Sequence, residues 1–134
     1  MKSNLRRYIL LAEDNPDDQV VVRRAIRYFQ HIALEIAADG KEALDVVAAL
    51  LPVIPALVIL DTKMPRMSGL EALCQMRAGP GMAETPIVMF SSSNEPRDLA
   101  EAERCKATEF VLKPVEFDDY VEAVRRLVIR YVGI

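Results

Sequence analysis

The chain has no tryptophan, one histidine, two cysteines, four phenylalanines and four tyrosines. So few aromatics leave no stacking platform for bases. No basic stripe is present to follow a phosphate backbone, so nucleic-acid binding is not expected. Charge of one sign is not in excess either: 17 Lys and Arg are interleaved with 20 Asp and Glu, for a net charge of −3. No apolar run approaches the ~20 residues that cross a bilayer. The N-terminal MKSNLRRYILLAEDN meets acids too early to be a secretion signal. The expectation is a cytoplasmic protein that makes no membrane contact. In that reducing setting Cys74 and Cys105, far apart and outside any C-x-x-C pair, read as small buried thiols rather than a disulfide. Neither a Walker loop nor G-x-G-x-x-G occurs, so nucleotide binding has no support. His31 stands in a polar context and reads as a surface residue.

What is present has the size and composition of one globular domain, taken as residues 1–134, with 51% apolar and 28% charged residues. A chain of that length buries enough surface to fold without staples. Strand-like apolar runs alternate with helical segments. The runs are Tyr8–Ala12, Leu34–Ala38, Ala56–Leu60, Ile87–Phe90 and Phe110–Leu112. Ala56–Leu60 is the most apolar and should be central, buried on both faces. Helical spacing covers Asp17–Gln30, a segment after Asp39-Gly40 that Pro52 ends, Gly69–Ala78, Pro96 to about Lys106, and Glu116–Val132. Gly79-Pro80-Gly81 is a loop signal. In the last helix Phe117, Val121, Val124 and Val128 share one side and read as the inward face. Strict alternation argues for an α/β fold: a doubly wound parallel sheet with helices on both faces.

Ligands of such sheets bind beyond the carboxyl ends of the strands. Glu13 and Asp14 follow the first strand, Asp61 the third, Ser91 the fourth and Lys113 the fifth. One polar residue after a strand is ordinary; a polar group after each of four is a pocket. Three carboxylates brought together raise one another's pKa. A hard divalent cation relieves this, and oxygen ligands suit Mg²⁺ or Mn²⁺. A carboxylate can also accept a phosphoryl group as a nucleophile. The phosphoryl oxygens can then be held by metal, ammonium and hydroxyl.

The ordered set E-D, D-x-x-M-P-x-M-x-G (Asp61, Met64, Pro65, Met67, Gly69), P-I-V-M-F-S and F-V-L-K-P resembles the receiver domains of response regulators. The match runs along essentially the whole chain. The resemblance implies a five-stranded flavodoxin-like sheet ordered 2-1-3-4-5. It also implies a two-component signalling module that takes phosphate from a histidine kinase phosphohistidine onto Asp61, and not a general enzyme. Asp14 and Asp61 would bind Mg²⁺ (or Mn²⁺), Glu13 would do so through water, and the Lys63 carbonyl would add a ligand. Ser91 and Lys113 would hold phosphoryl oxygens, and Phe110 would rotate with Ser91. Lys113-Pro114 would be a cis peptide. The start EDNPDD and the lack of an output domain are similar to receiver-only regulators paired with phytochrome-type kinases.

Two positions depart from the family pattern. Lys106 stands where a small residue, usually Gly, ends the fourth helix, and Phe110 lacks the phenol of Tyr. The competing reading, a haloacid-dehalogenase-like phosphatase, needs an acid two residues past the nucleophile, where this chain has Lys63, and room for a cap domain. Kinase docking is expected on the first helix around Asn15, Asp18, Val21 and Val22. A homodimer is expected through the C-terminal face, where Ile129, Val132 and Ile134 add apolar groups beyond one core stripe. The kinase, its signal and the downstream protein are not legible.

Overall fold

Along the chain, β1 (Tyr8–Ala12), α1 (Pro16–Arg27), β2 (Ala33–Ala37), α2 (Gly40–Leu50) and β3 (Leu57–Leu60) are followed by α3 (Gly69–Ala78), β4 (Ile87–Ser91), α4 (Pro96–Arg104), β5 (Glu109–Leu112) and α5 (Phe117–Tyr131). The structure is a computed structural model and describes residues 7–79 and 81–133. Pro80 of the expected loop and Ile134 of the expected dimer face lie outside the described residues.

The strands form one parallel sheet in the order β2-β1-β3-β4-β5. Residues of β1, β3 and β4 are buried on both faces, as their unbroken apolar runs require. Alternate residues feed two cores. Ile9, Leu11, Leu57, Ile59, Val88 and Phe90 meet α1 and α5 on one side. Leu10, Val58, Leu60, Ile87 and Met89 meet the other helices on the second side. The edge strands β2 and β5 are only half-buried.

Local signals place the helix starts next to the strand ends. Asn15 caps α1 by accepting from the amides of Asp17 and Asp18, with Pro16 opening the helix. Asp39 caps α2, and Ser68 with Glu71 closes a reciprocal capping box on α3.

Two expectations are corrected in the cores. Tyr120, with Val121, Val124, Leu127 and Val128, forms the inward face of α5, while Phe117 is 44% exposed. Phe117 lies in the first turn, beside the strand ends rather than over the sheet, and the Arg24 guanidinium sits 5.8 Å from its ring centre. Cys74 and Cys105 are joined by a disulfide, with Cα atoms 5.0 Å apart across 31 residues of sequence. Their distance in sequence was uninformative, because the right-handed crossover through β4 makes α3 and α4 neighbours.

Lys106 closes α4 in the left-handed region, with φ 67°. Its amide donates to the Glu103 carbonyl and the Ala107 amide to the Ala102 carbonyl, the pair of bonds of a Schellman turn. The lysine side chain therefore carries a steric penalty that glycine lacks. Lys106→Gly is expected to raise unfolding stability by about 1 kcal/mol, read by urea denaturation; unchanged or lower stability would refute strain at this turn.

Candidate functional site

The strand order reverses direction between β1 and β3, so the loops leaving these two strands diverge and open a crevice between them. Glu13 and Asp14 leave β1, and Asp61 leaves β3 with its amide bonded to the Ala12 carbonyl at 3.0 Å. Backbone closeness holds Asp61 further. A Cβ on Gly69 would come within 1.8 Å of the Asp61 carbonyl oxygen, so only glycine lets α3 start here. That explains the final glycine of D-x-x-M-P-x-M-x-G as a packing requirement of the site itself.

Carboxylate oxygens of Glu13, Asp14 and Asp61 lie within 4.8 Å of one another. Glu13 is buried, Asp61 half-buried and Asp14 exposed, so the cluster opens to solvent on the Asp14 side. Burial, then the charge of Asp61, push the Glu13 carboxyl up from 4.5 to about 7, against the pull of its hydrogen bond from Lys113. Burial also raises Asp61, although Lys113 opposes it. The Lys113 ammonium reaches Glu13 at 2.7 Å, Asp18 at 2.8 Å and Asp61 at 3.5 Å. Burial alone would lower its pKa; its bonds to Asp18 and Glu13 outweigh burial and hold it above the usual lysine range. One ammonium thus faces three carboxylates, and Asp14 adds a fourth to the cluster. This surplus of hard oxygen donors fits a divalent cation, and oxygen-only ligation matches magnesium or manganese chemistry.

Asp18 as a partner of Lys113 was missed from sequence. The available signal was its place in the first turn of α1, which starts right after the acidic pair. Thr62 was missed too. Ser91 is buried at the last position of β4, and its hydroxyl lies 2.8 Å from that of Thr62 while accepting from the Ser93 amide at 3.1 Å. Phe110 is half-buried on β5 and packs on the second core. The Lys63 amide donates to the Asp61 carboxylate, while its exposed ammonium pairs with Glu95 at 3.5 Å and Asp98 at 3.7 Å on α4.

Other expectations are corrected. The Lys113–Pro114 peptide is trans; the cis bond of the described residues is Leu51–Pro52. Lys113 reaches the acids from a trans backbone because its amide donates to the Ser91 carbonyl, extending the β4–β5 ladder. The Arg66 guanidinium, on a left-handed backbone with φ 64°, binds the buried carboxylate of Asp39. Val21 and Val22 are buried in the first core and offer no docking surface, whereas Asn15 is exposed. His31 is exposed, as expected.

The family model of the response regulator receiver domain matches residues 9–125. The chain belongs to the receiver-domain family. Relatives include the chemotaxis protein CheY of Listeria monocytogenes, 31% identical, the match covering 82% of this chain and 92% of that one. The solved bacteriophytochrome response regulator AtBRR is 35% identical, with a TM-score of 0.71 and coverage of 91% of this chain and 92% of that chain. The phosphorylated cyanobacterial phytochrome response regulator RcpA shares the fold at a TM-score of 0.88 and 20% identity, over 96% of this chain and 95% of that chain. Other relatives are much longer, and the receiver spans 23% of two of them.

Receiver domains are phospho-acceptor modules of two-component response regulators, bind a divalent metal and are phosphorylated by histidine kinases. The flavodoxin-like sheet ordered 2-1-3-4-5 is the one the resemblance implied. No helix of the described residues is long and apolar enough to cross a membrane.

Proposed function

We propose that Asp61 is the phospho-acceptor of this receiver and that its chemistry is signalling rather than turnover of an external substrate. The observation that carries the proposal is the convergence of Glu13, Asp14 and Asp61 with the Lys113 ammonium at one strand edge. A carboxylate oxygen of Asp61 attacks the phosphorus of a kinase phosphohistidine. The phosphorus–nitrogen bond breaks, and the imidazole leaves with its electron pair and takes a proton from solvent. Asp14 and Asp61 would hold Mg²⁺ directly, Glu13 through water and Lys63 through its carbonyl. When bound, the cation, which Mn²⁺ could replace, would neutralise charge on the phosphoryl oxygens. Lys113 turns from Glu13 and Asp18 toward a phosphoryl oxygen by charge-assisted bonding. Asp14→Ala removes a direct ligand and is expected to weaken Mg²⁺ binding at least about tenfold, read by calorimetric titration; undiminished affinity would reject this ligand set.

Readout runs through Ser91. Its hydroxyl is held by Thr62 and must leave that bond to donate to the phosphoryl group, which opens space for the Phe110 ring and alters the face made by β5, α4 and α5. Thr62→Val removes one hydrogen bond of the resting state, worth about 1 kcal/mol. Without phosphate it is therefore expected to raise the switched population about fivefold. Fluorine NMR of fluorophenylalanine-labelled protein would read this at Phe110, and an unmoved Phe110 resonance would remove Thr62 from the switch.

The kinase approaches over Asn15 and the exposed mouth at Asp14. A phytochrome-type kinase is the proposed donor, in line with the bacteriophytochrome response regulator AtBRR. The site of action is the cytoplasm, and the chain is proposed to work as a single receiver domain. A homodimer through the C-terminal face is proposed on the exposure of Ile129, 46%, beside half-buried Val132. Sedimentation at several concentrations is expected to show a dimer that Ile129→Glu dissociates; a monomer throughout would reject it.

A further inference from the structure

α4 has nine residues, and only Asp98 and Ala102 of them are buried. So little apolar burial gives the helix a weak hold on the sheet. Two other ties fix it, one at each end. At its C-terminal end, Cys105 is bridged to Cys74 of α3. At its N-terminal end, Glu95 and Asp98 meet the Lys63 ammonium, two residues past Asp61. Asp98 Oδ2 has no hydrogen-bond partner, so the lysine charge at 3.7 Å is what compensates it.

Beside the bridge lies a cavity of about 430 Å³, lined by both cysteines, Arg77, Arg104, Lys106 and Glu84. Arg104 Nη2 stands 4.0 Å from Cys74 Sγ. Arg77, Arg104 and Lys106 outnumber Glu84 and Glu101, whose Oε2 lies 3.7 Å from Cys74 Sγ and 3.9 Å from Cys105 Sγ, so the cavity favours an anionic visitor. The guanidinium beside Cys74 favours its thiolate as the leaving group of the second step. Cys74 is half-buried and open to attack, while Cys105 is buried.

We propose that Cys74–Cys105 is a thiol–disulfide exchange site for a small acidic thiol of the glutathione class, and that the state of this bridge sets the seat of α4 and, through Lys63, the phosphate chemistry at Asp61. The small thiolate attacks Cys74 Sγ, the Sγ–Sγ bond breaks, and Cys105 leaves as a thiolate that takes a proton from water. A second small thiolate attacks the outer sulphur of the mixed disulfide. The small-molecule disulfide departs, and Cys74 is left as a thiolate that is protonated in turn. The bridge gains two electrons and two protons, and two small thiols become one disulfide. The exchange stands on geometry alone; its effect at Asp61 rests on that residue being the acceptor.

The test equilibrates the native protein with glutathione buffers of graded ratio, alkylates it and records intact mass. The proposal expects passage from no label to two labels within the series. A bridge that stays closed at every ratio, or two free thiols at every ratio, overturns it. Arg104→Glu should slow opening by glutathione about tenfold and leave opening by neutral mercaptoethanol unchanged; equal slowing of both overturns the acidic-thiol assignment. Oxidised and reduced wild type, treated with a small phosphodonor and Mg²⁺, should lose phosphate at rates differing about threefold, and Cys105→Ser should match the reduced form. Identical rates overturn the link to Asp61, while the alkylation series reads the exchange whether or not Asp61 takes phosphate.

Discussion

Lys113→Ala is expected to lower stability by about 3 kcal/mol in chelator above neutral pH, the scale for removing one partner of a buried ion cluster. The ammonium is only 10% exposed and faces Glu13, Asp18 and Asp61 at 2.7, 2.8 and 3.5 Å. Alanine leaves these acids facing one another without a counter-charge. The pH dependence follows from Glu13, whose carboxyl already stands at about 7 in the folded chain against an ordinary 4.5. A carboxyl raised by folding favours the folded state most at low pH, and that contribution is lost as pH rises through the folded value. Loss of Lys113 raises Glu13 and Asp61 further. The deficit is therefore expected to be small near about pH 5, where Glu13 is protonated, and to grow as pH rises past about 7. Mg²⁺ at high pH should restore part of it. Urea unfolding across this range checks the account; a deficit independent of pH and of Mg²⁺ would show that Lys113 serves packing rather than charge.

Gly69→Ala is expected to remove phosphate acceptance and lower stability by about 3 kcal/mol or more, the range of severe backbone and packing clashes. The added methyl would sit 1.8 Å from the Asp61 carbonyl oxygen and 3.3 Å from Leu60 Cβ. These are fixed atoms at the end of a buried strand, so the start of α3 or Asp61 itself must move. Gly79→Ala is the control: its new methyl would come no nearer than 3.5 Å to the Met76 carbonyl. Comparing the two by thermal unfolding and by phosphorylated mass separates the loss of this contact from a general cost of replacing glycine. Equal behaviour of the two variants would contradict the role given to Gly69.

The fold was legible because burial demands it: strands packed on both faces need continuous apolar runs such as ALVIL, and amphipathic helices need spaced ones. The acids and Lys113 were legible because each directly follows a strand. Thr62 and the bond of Asp18 to Lys113 were not, since a threonine after an aspartate and an acid in a helix's first turn are common without a role in a site. Nothing local distinguishes Phe117 from Tyr120; only the position of α5 along the sheet sends one outward and the other inward. The Cys74–Cys105 bridge depends on which helices become neighbours, which spacing in sequence does not encode. Lys106 marked its own strained turn, because the residue type contradicts the backbone it occupies.

The most direct test of Asp61 as acceptor is intact mass after incubation with a small phosphodonor. The expected result is a gain of one phosphate in wild type with Mg²⁺, and no gain in chelator or in Asp61→Asn. A phosphate that appears in Asp61→Asn, or that is indifferent to chelation, would contradict it.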